Sequence, residues 1–219
     1  MATPRQEIKE LADEILKVQK EYAEIYRFVL NPRRFNAALA QGIVGKDDLS
    51  SMIMRESVLE HVGHLPLIAS TIYPYLEHAS SVDLAKTLLY LSIHEAPERV
   101  TGDKVSFHKT SADEEEELAA ARGVFTNKYE KYLVLYEDFH FIRNIDAQFA
   151  VSVDKLAPFF YYEFLEPRFR RFSWQPNGIT WQMVSERHAP LMAWDRTTKE
   201  LFEYIIETIK DQDGETNKN

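Results

Sequence analysis

The stretch Leu91–Asp103 reads LSIHEAPERVTGD and ends a run of apolar residues with a group of polar ones. Apolar side chains recur upstream of it at helical spacing, which predicts a buried helix over 82–95. Pro97 and Gly102 disfavour a helix and break the pattern. We therefore interpret this stretch as the end of a core helix, with the rest of the chain as its scaffold.

Side chains that can bind a metal or move a proton are concentrated at this predicted helix end. Imidazole and carboxylate are the ligands expected for a catalytic divalent metal in a chain without thiols. Neighbouring helical residues diverge by about 100°, so His94 and Glu95 can hold one ion only near a helix end. Glu98, one turn from His94, would lie beside that ion and hold or deprotonate a water. Asp103 could orient a substrate or a neighbouring side chain.

Composition favours a single helical domain in a reducing compartment. The 219 residues suit one domain with an appended arm, 45% of them are hydrophobic, and only 7 are glycine. The chain has no cysteine, no glycine-rich phosphate loop, no apolar run of membrane-spanning length and no signal-peptide core at its N-terminus. A net charge of −9 opposes non-specific binding to nucleic acid or anionic membranes. We expect a cytoplasmic all-α protein, for which a small anionic substrate is possible.

Periodicity divides the chain into three parts. Residues 1–32 form an arm, in which a heptad stripe predicts a helix over 4–30 that either lies along the domain core or pairs with a second copy in a homodimer. Residues 33–210 form the main domain, and residues 211–219 a polar, disordered tail. Besides the helix over 82–95, helices are predicted to begin near Ser57 and at the acidic run 113–117, and to cover 127–141, 144–165 and 196–210.

Prolines predict interruptions in two regions. Pro66 removes a backbone donor and clashes with the preceding turn, so we expect a kink or an early end of the helix that begins near Ser57. Pro74 repeats this problem eight residues later. Residues 167–194 contain three further prolines and are predicted to be irregular.

Three motifs together resemble the HD-domain metal-dependent phosphohydrolases, especially the branch of bacterial 5′-deoxynucleotidases. ESVLEH ends at His61, IHEAPERVTGD begins one residue before His94, and VSVDKL contains Asp154. Their order, the spacing inside the second motif and their apolar setting agree with the family pattern over roughly residues 50–165. The resemblance implies an HD-domain-like helical bundle with the N-terminal helical arm attached.

The resemblance also implies roles for individual residues. It implies one divalent cation (Mn, Co, Mg, Fe or Zn) and four ligands for it: His61, His94, Glu95 and Asp154. Glu98 then positions or activates the attacking water, and Asp103 acts on the substrate or leaving group. Arg55 falls where this branch keeps a basic residue near the phosphate, a role that suits its planar fork of donors, and Lys104 is assigned to the substrate as well.

These roles predict hydrolysis of a phosphoester. The substrate predicted first is the 5′-phosphate of a nucleoside monophosphate. Other HD chemistry stays open: hydrolysis of nucleoside triphosphates, alarmones or cyclic phosphodiesters, or di-iron oxygenation using two more histidines, for which His108 and His140 are candidates. A third alternative is a degenerate HD protein that acts as a dimerising or binding module. It arises because Glu95 stands where the family carries aspartate.

Overall fold

The computed structural model describes residues 5–13, 58–101, 107, 109–126, 130–160 and 179–216. No strand occurs within these ranges, so the prediction of an all-α fold is confirmed. Residues 5–13 are helical, and from Val58 onwards the helices are α1 (Val58–Ile72), α2 (Leu84–Ile93), α3 (Glu98–Thr101), α4 (Ser111–Val124), α5 (Glu130–His140), α6 (Ile145–Pro158), α7 (Trp181–Met192) and α8 (Arg196–Thr216).

The chain divides into two compact units. One is Val58–Lys155, and the other combines Met1–Ser57 with Leu156–Asn219. The domain boundaries at residues 32 and 210 stay predictions, and most of the heptad arm lies outside the described residues. None of the helices in the described ranges has the length and apolar character needed to cross a membrane.

Within the unit Val58–Lys155, helix α1 packs against α2, and α2 packs against α5. Leu65, Ile68 and Ile72 recur on one face of α1 and are buried. Tyr90 and Leu91 are buried at the end of α2. This packing holds the C-terminal end of α2 against its neighbours, which is where the polar stretch begins.

Helix α1 does not end at Pro66, so of the two outcomes expected there, a kink or an early end, the early end is wrong. It continues to Ile72, and Pro74 then lies in a 3-10 turn, Tyr73–Tyr75. Leu65 on one side of the proline and Ile68 on the other are almost fully buried. Their burial stabilises a continuous helix by more than the one backbone hydrogen bond that proline removes.

Helix α2 begins and ends close to the predicted limits. The side chain of Asp83 caps its start by accepting a hydrogen bond from the backbone N–H of Lys86, at 3.1 Å. At the other end His94 is the cap residue, and its N–H donates to the carbonyl of Tyr90. The histidine is therefore placed where the helix gives way to a turn.

The other unit contains one correction to the sequence prediction. Helix α7 occupies Trp181–Met192, within the region that we predicted to be irregular. Thr180 caps it by accepting from the N–H of Met183 at 3.2 Å, and Val184 and Met192 are buried. Pro190 lies near the C-terminal end of the helix, so a single proline there does not prevent it.

The last helix packs against α7 and extends past its predicted end. Its apolar face is buried, and includes Leu201, Phe202, Ile205, Ile206 and Ile209. It runs to Thr216, so the first residues assigned to the polar tail are helical. Arg5 of the N-terminal helical segment forms an ion pair of 2.7 Å with Glu207 of this helix.

Candidate metal centre

Four side chains of the unit Val58–Lys155 converge on one point. His61, His94, Glu95 and Asp154 each offer one ligand atom, and these atoms all lie within 4.8 Å of one another. Two atoms bound to one ion at about 2.1 Å are separated by no more than about 4.2 Å, so small adjustments are enough to hold a cation among the four. The sequence named these four residues from three separate motifs, and the fold brings them together.

Three elements supply the four side chains. His61 lies in the first turn of α1, and Asp154 lies in α6. His94 is the cap residue of α2, and Glu95 follows in the turn, where its carbonyl accepts the N–H of Glu98 at 3.0 Å. Because the chain leaves helical geometry here, adjacent residues can turn their side chains to the same point, as the spacing argument required.

The closest contacts in the cluster join imidazole nitrogens to carboxylate oxygens. His61 Nε2 lies 2.9 Å from Asp154 Oδ1 and 3.7 Å from Glu95 Oε1. His94 Nε2 lies 3.1 Å from Glu95 Oε1 and 3.4 Å from Asp154 Oδ1. Two carboxylate oxygens thus face two imidazoles, an arrangement that a proton or a metal ion among them would stabilise.

The orientation of His94 fits a metal ligand. Its Nδ1 lies 3.0 Å from the carbonyl oxygen of Leu91, which can only accept, so Nδ1 carries the proton. In the neutral ring Nε2 is then left with a lone pair directed at the cluster. This nitrogen is buried, and among the described residues it has no partner with hydrogen-bond geometry. A backbone acceptor on one ring nitrogen is the usual way in which proteins orient a histidine ligand.

Burial and the neighbouring charges act in opposite directions on the pKa values of the cluster. Burial lowers the pKa of His94, but the carboxylates of Asp154 and Glu95 outweigh burial and raise it to about 9. Burial raises the pKa of Glu95, whereas His94 lowers it to about 2 and a hydrogen bond with Glu98 acts in the same direction. The protein therefore keeps the carboxylates ionised despite burial, as metal ligands must be.

Glu95 reaches the cluster although it carries one methylene more than aspartate. Its Oε1 lies 3.1 Å from His94 Nε2, which is closer than Asp154 Oδ1 at 3.4 Å. The turn after α2 therefore accommodates the longer side chain. The departure from the family pattern does not by itself remove a ligand from the site.

Glu98 lies next to these residues. It is the first residue of α3, and its carboxyl interacts with that of Glu95. Arg55, Asp103 and Lys104, which we assigned to substrate or catalysis, lie outside the described residues, as does His108. His140 is not one of the four clustered residues: its ring stacks on Tyr136 with centroids 5.7 Å apart.

Two neighbours of the site were not recognised in the sequence. Lys155 places its Nζ 2.6 Å from Asp154 Oδ2, and Phe139 packs its ring against that of His94, with centroids 5.0 Å apart. Lys155 follows Asp154 directly, but helical neighbours point in different directions, so adjacency did not predict contact. Phe139 comes from α5, and only the packing of α5 on α2 brings it to the histidine.

Comparison with known proteins places this geometry in a family. The HD domain family model matches residues 48–186, which is more than half of the chain. The crystal structure of a predicted metal-dependent phosphohydrolase from Magnetospirillum magnetotacticum MS-1 matches with a TM-score of 0.61 and 24% identity, covering 74% of this chain and 84% of that one. Identity at this level establishes the fold. Comparison with curated protein sequences gives no match.

Proposed function

This chain belongs to the HD domain family, and from that membership we propose that it is a metal-dependent phosphohydrolase. The observation that carries the proposal is the convergence of two imidazoles and two carboxylates in a partly buried cluster. The solved chain from Magnetospirillum magnetotacticum, described as a predicted metal-dependent phosphohydrolase, supports the same class of activity.

His61, His94, Glu95 and Asp154 are proposed to hold one divalent cation, for which manganese, cobalt, magnesium, iron and zinc are the candidates. When bound, such a cation acts as a Lewis acid on a phosphoryl oxygen and lowers the pKa of a coordinated water. The chain supplies the anchoring charges and the fixed imidazoles.

Glu98 is proposed to position the attacking water and accept its proton. It begins α3 beside Glu95, so its carboxyl group lies at the edge of the cluster rather than among the four ligand atoms. A positioned general base of this kind typically contributes about 10²- to 10⁴-fold to the rate. Direct attack by water needs no covalent intermediate.

The proposed substrate is a small phosphoester, and specifically the 5′-phosphate of a nucleoside monophosphate. Arg55 and Lys104 would offset charge on the phosphoryl oxygens, and Asp103 would act on the substrate or leaving group. We further propose that the protein acts in the cytoplasm and as a homodimer through its heptad arm. The nucleotide preference rests on the resemblance of the three sequence motifs to the 5′-deoxynucleotidase branch.

Metal analysis and a substrate panel test this proposal. Protein purified without chelator should contain about one divalent ion per chain and should release phosphate from nucleoside monophosphates. Release only from nucleoside triphosphates, alarmones or cyclic diesters would keep the class and change the substrate. Two ions per chain would favour the di-iron alternative. A wild-type protein that neither binds metal nor releases phosphate would contradict the proposed function.

Glu98→Gln tests whether Glu98 acts on the attacking water and not as a metal ligand. Turnover should fall by about 10²-fold or more while the metal content stays unchanged. Glu130→Gln is the matched control, because Glu130 is also the first residue of a helix in the same unit and is exposed. Loss of metal from the Glu98 variant would instead place Glu98 among the ligands.

A further inference from the structure

We propose that Lys155 fixes Asp154 as a one-oxygen ligand and thereby keeps a coordination position open at the metal centre. The inference rests on the proposed function and concerns the carboxylate oxygen that faces away from the histidines. Asp154 Oδ2 lies 2.6 Å from Lys155 Nζ, whereas Oδ1 lies 2.9 Å from His61 Nε2 and 3.4 Å from His94 Nε2. The two oxygens of one carboxylate thus have different tasks.

Burial of Asp154 makes it costly for either carboxylate oxygen to lack a partner. The side chain of Asp154 is only 6% exposed, so an oxygen without a donor would be strongly destabilising. The Lys155 side chain is 34% exposed, which allows its ammonium group to remain partly hydrated while it binds Oδ2. Burial raises the pKa of Asp154, but the charge of Lys155, the hydrogen bond with His61 and the charge of His94 hold it well below the usual range.

The contact depends on a specific side-chain conformation. Successive residues of α6 diverge by about 100°, so Lys155 must fold back along the helix to reach its neighbour. A flexible four-carbon stem allows this, and the gain is a charge-assisted hydrogen bond to a buried anion. Turning the carboxylate to present both oxygens to one ion would weaken this hydrogen bond, so the contact with Lys155 disfavours that orientation.

The number of bound oxygens matters for catalysis. Catalytic metal sites retain a position for water or substrate beyond their protein ligands. If Asp154 contributed both oxygens, the second would compete for that position. Lys155 is therefore a positioning residue, since it acts through Asp154 and need not contact the substrate.

The chain contains a matched control for this lysine. Lys86 forms an ion pair of 3.1 Å with Asp146 Oδ2, its side chain is 35% exposed, and Asp146 lies in the same helix as Asp154. Asp146 is not one of the clustered residues. Removing either ammonium group breaks a comparable ion pair to α6, but only Lys155 adjoins the cluster.

The test uses the full chain loaded with Co²⁺, whose visible absorption weakens as its coordination number rises. Lys155→Met should weaken the Co²⁺ bands and lower turnover by about 10- to 100-fold, and Lys155→Arg should restore both. Lys86→Met should leave the spectrum unchanged. A Lys155→Met spectrum identical to that of the wild type would overturn the proposal.

X-ray absorption or a crystal structure of the Co²⁺-loaded wild type gives an answer that needs no variant. Asp154 should bind through Oδ1, with Oδ2 remaining on Lys155. Two bound Asp154 oxygens would overturn the proposal even if Lys155→Met failed to fold. Absence of Co²⁺ binding by the wild type would contradict the proposed function itself, so the two failures are distinguishable.

Discussion

Helix α6 carries two buried aspartates, Asp146 and Asp154. In each of them Oδ2 faces a lysine, and the two differ in what the other oxygen, Oδ1, contacts. Asp146 Oδ2 faces Lys86 at 3.1 Å, and its Oδ1 accepts the backbone N–H of Asp83 at 2.8 Å. Asp154 Oδ2 faces Lys155 at 2.6 Å, but its Oδ1 faces two imidazoles. The first carboxylate is satisfied by a lysine and a backbone N–H, whereas the second belongs to the cluster of His61, His94 and Glu95.

Burial and a lysine partner therefore do not by themselves identify a functional aspartate. Both residues have these features, and both would be costly to bury alone. Asp146 joins the start of α6 to the start of α2, which is a structural task. What distinguishes Asp154 is an oxygen directed at other metal-ligating groups.

Exchanging each aspartate for asparagine should separate the two tasks most strongly. Asp154→Asn should lower metal affinity by about 100-fold or more, because a ligating charge is lost, and turnover should fall with it. Asp146→Asn should leave metal affinity unchanged and lower the free energy of unfolding by about 1–3 kcal/mol. Metal titration and denaturant unfolding measure the two effects. Equal metal loss in both variants would remove the distinction.

Metal removal should change the unfolding temperature of the two aspartate variants differently. A ligand present at about 100 times its dissociation constant stabilises the folded state by about 2.7 kcal/mol, which is roughly 5–10 °C in the unfolding midpoint of a chain of this size. Chelator should therefore lower the midpoint of the wild type and of Asp146→Asn. The midpoint of Asp154→Asn, whose affinity should be about 100-fold lower, should change by no more than about 1–2 °C, and a full response there would contradict its assignment as a ligand.

Glu95→Asp tests whether the cluster is built for the longer side chain. Shortening withdraws the carboxylate by about 1.5 Å, which is large against a metal–oxygen distance of about 2.1 Å. Metal affinity should fall by about tenfold, with a parallel loss of turnover. Glu60→Asp is the control, since Glu60 precedes His61 and is not one of the clustered residues. A large gain of activity in Glu95→Asp would instead indicate a decayed site.

Tyr90→Phe should have the smallest effect. The effect should be confined to the N-terminal end of α6, which lies in the structural part of the helix and not at the cluster. The buried Tyr90 hydroxyl accepts from Asn144 Nδ2 at 3.0 Å and donates to Asp138 Oδ2 at 3.3 Å. Asn144 in turn accepts the N–H of Ala147 in the first turn of α6. Loss of the hydroxyl should lower the free energy of unfolding by about 1 kcal/mol without changing metal affinity. Differential scanning calorimetry and metal titration measure both quantities.

Much of the fold could be predicted from local patterns, and the failures have local explanations. The limits of α2 followed from an apolar run and a proline, which act within a few residues. Pro66 and the segment containing α7 were misjudged because tertiary burial outweighs one lost hydrogen bond or an unfavourable proline. A single sequence reports those local costs but not the packing that offsets them.

The sequence by itself determined which chemistry this protein carries: histidines and carboxylates in three motifs, and a helix end that lets His94 and Glu95 turn together. The motifs also singled out Asp154, whereas its contacts depend on the tertiary structure, which turns Oδ1 to the two histidines and Oδ2 to Lys155. His61 and Asp154 are separated by 93 residues, yet a hydrogen bond of 2.9 Å joins them. Asp146 is equally buried and paired, and lies apart from the cluster. Residue spacing shows which side chains share a face of one helix. It does not show how that face is oriented towards the other helices, and contacts between helices depend on this orientation.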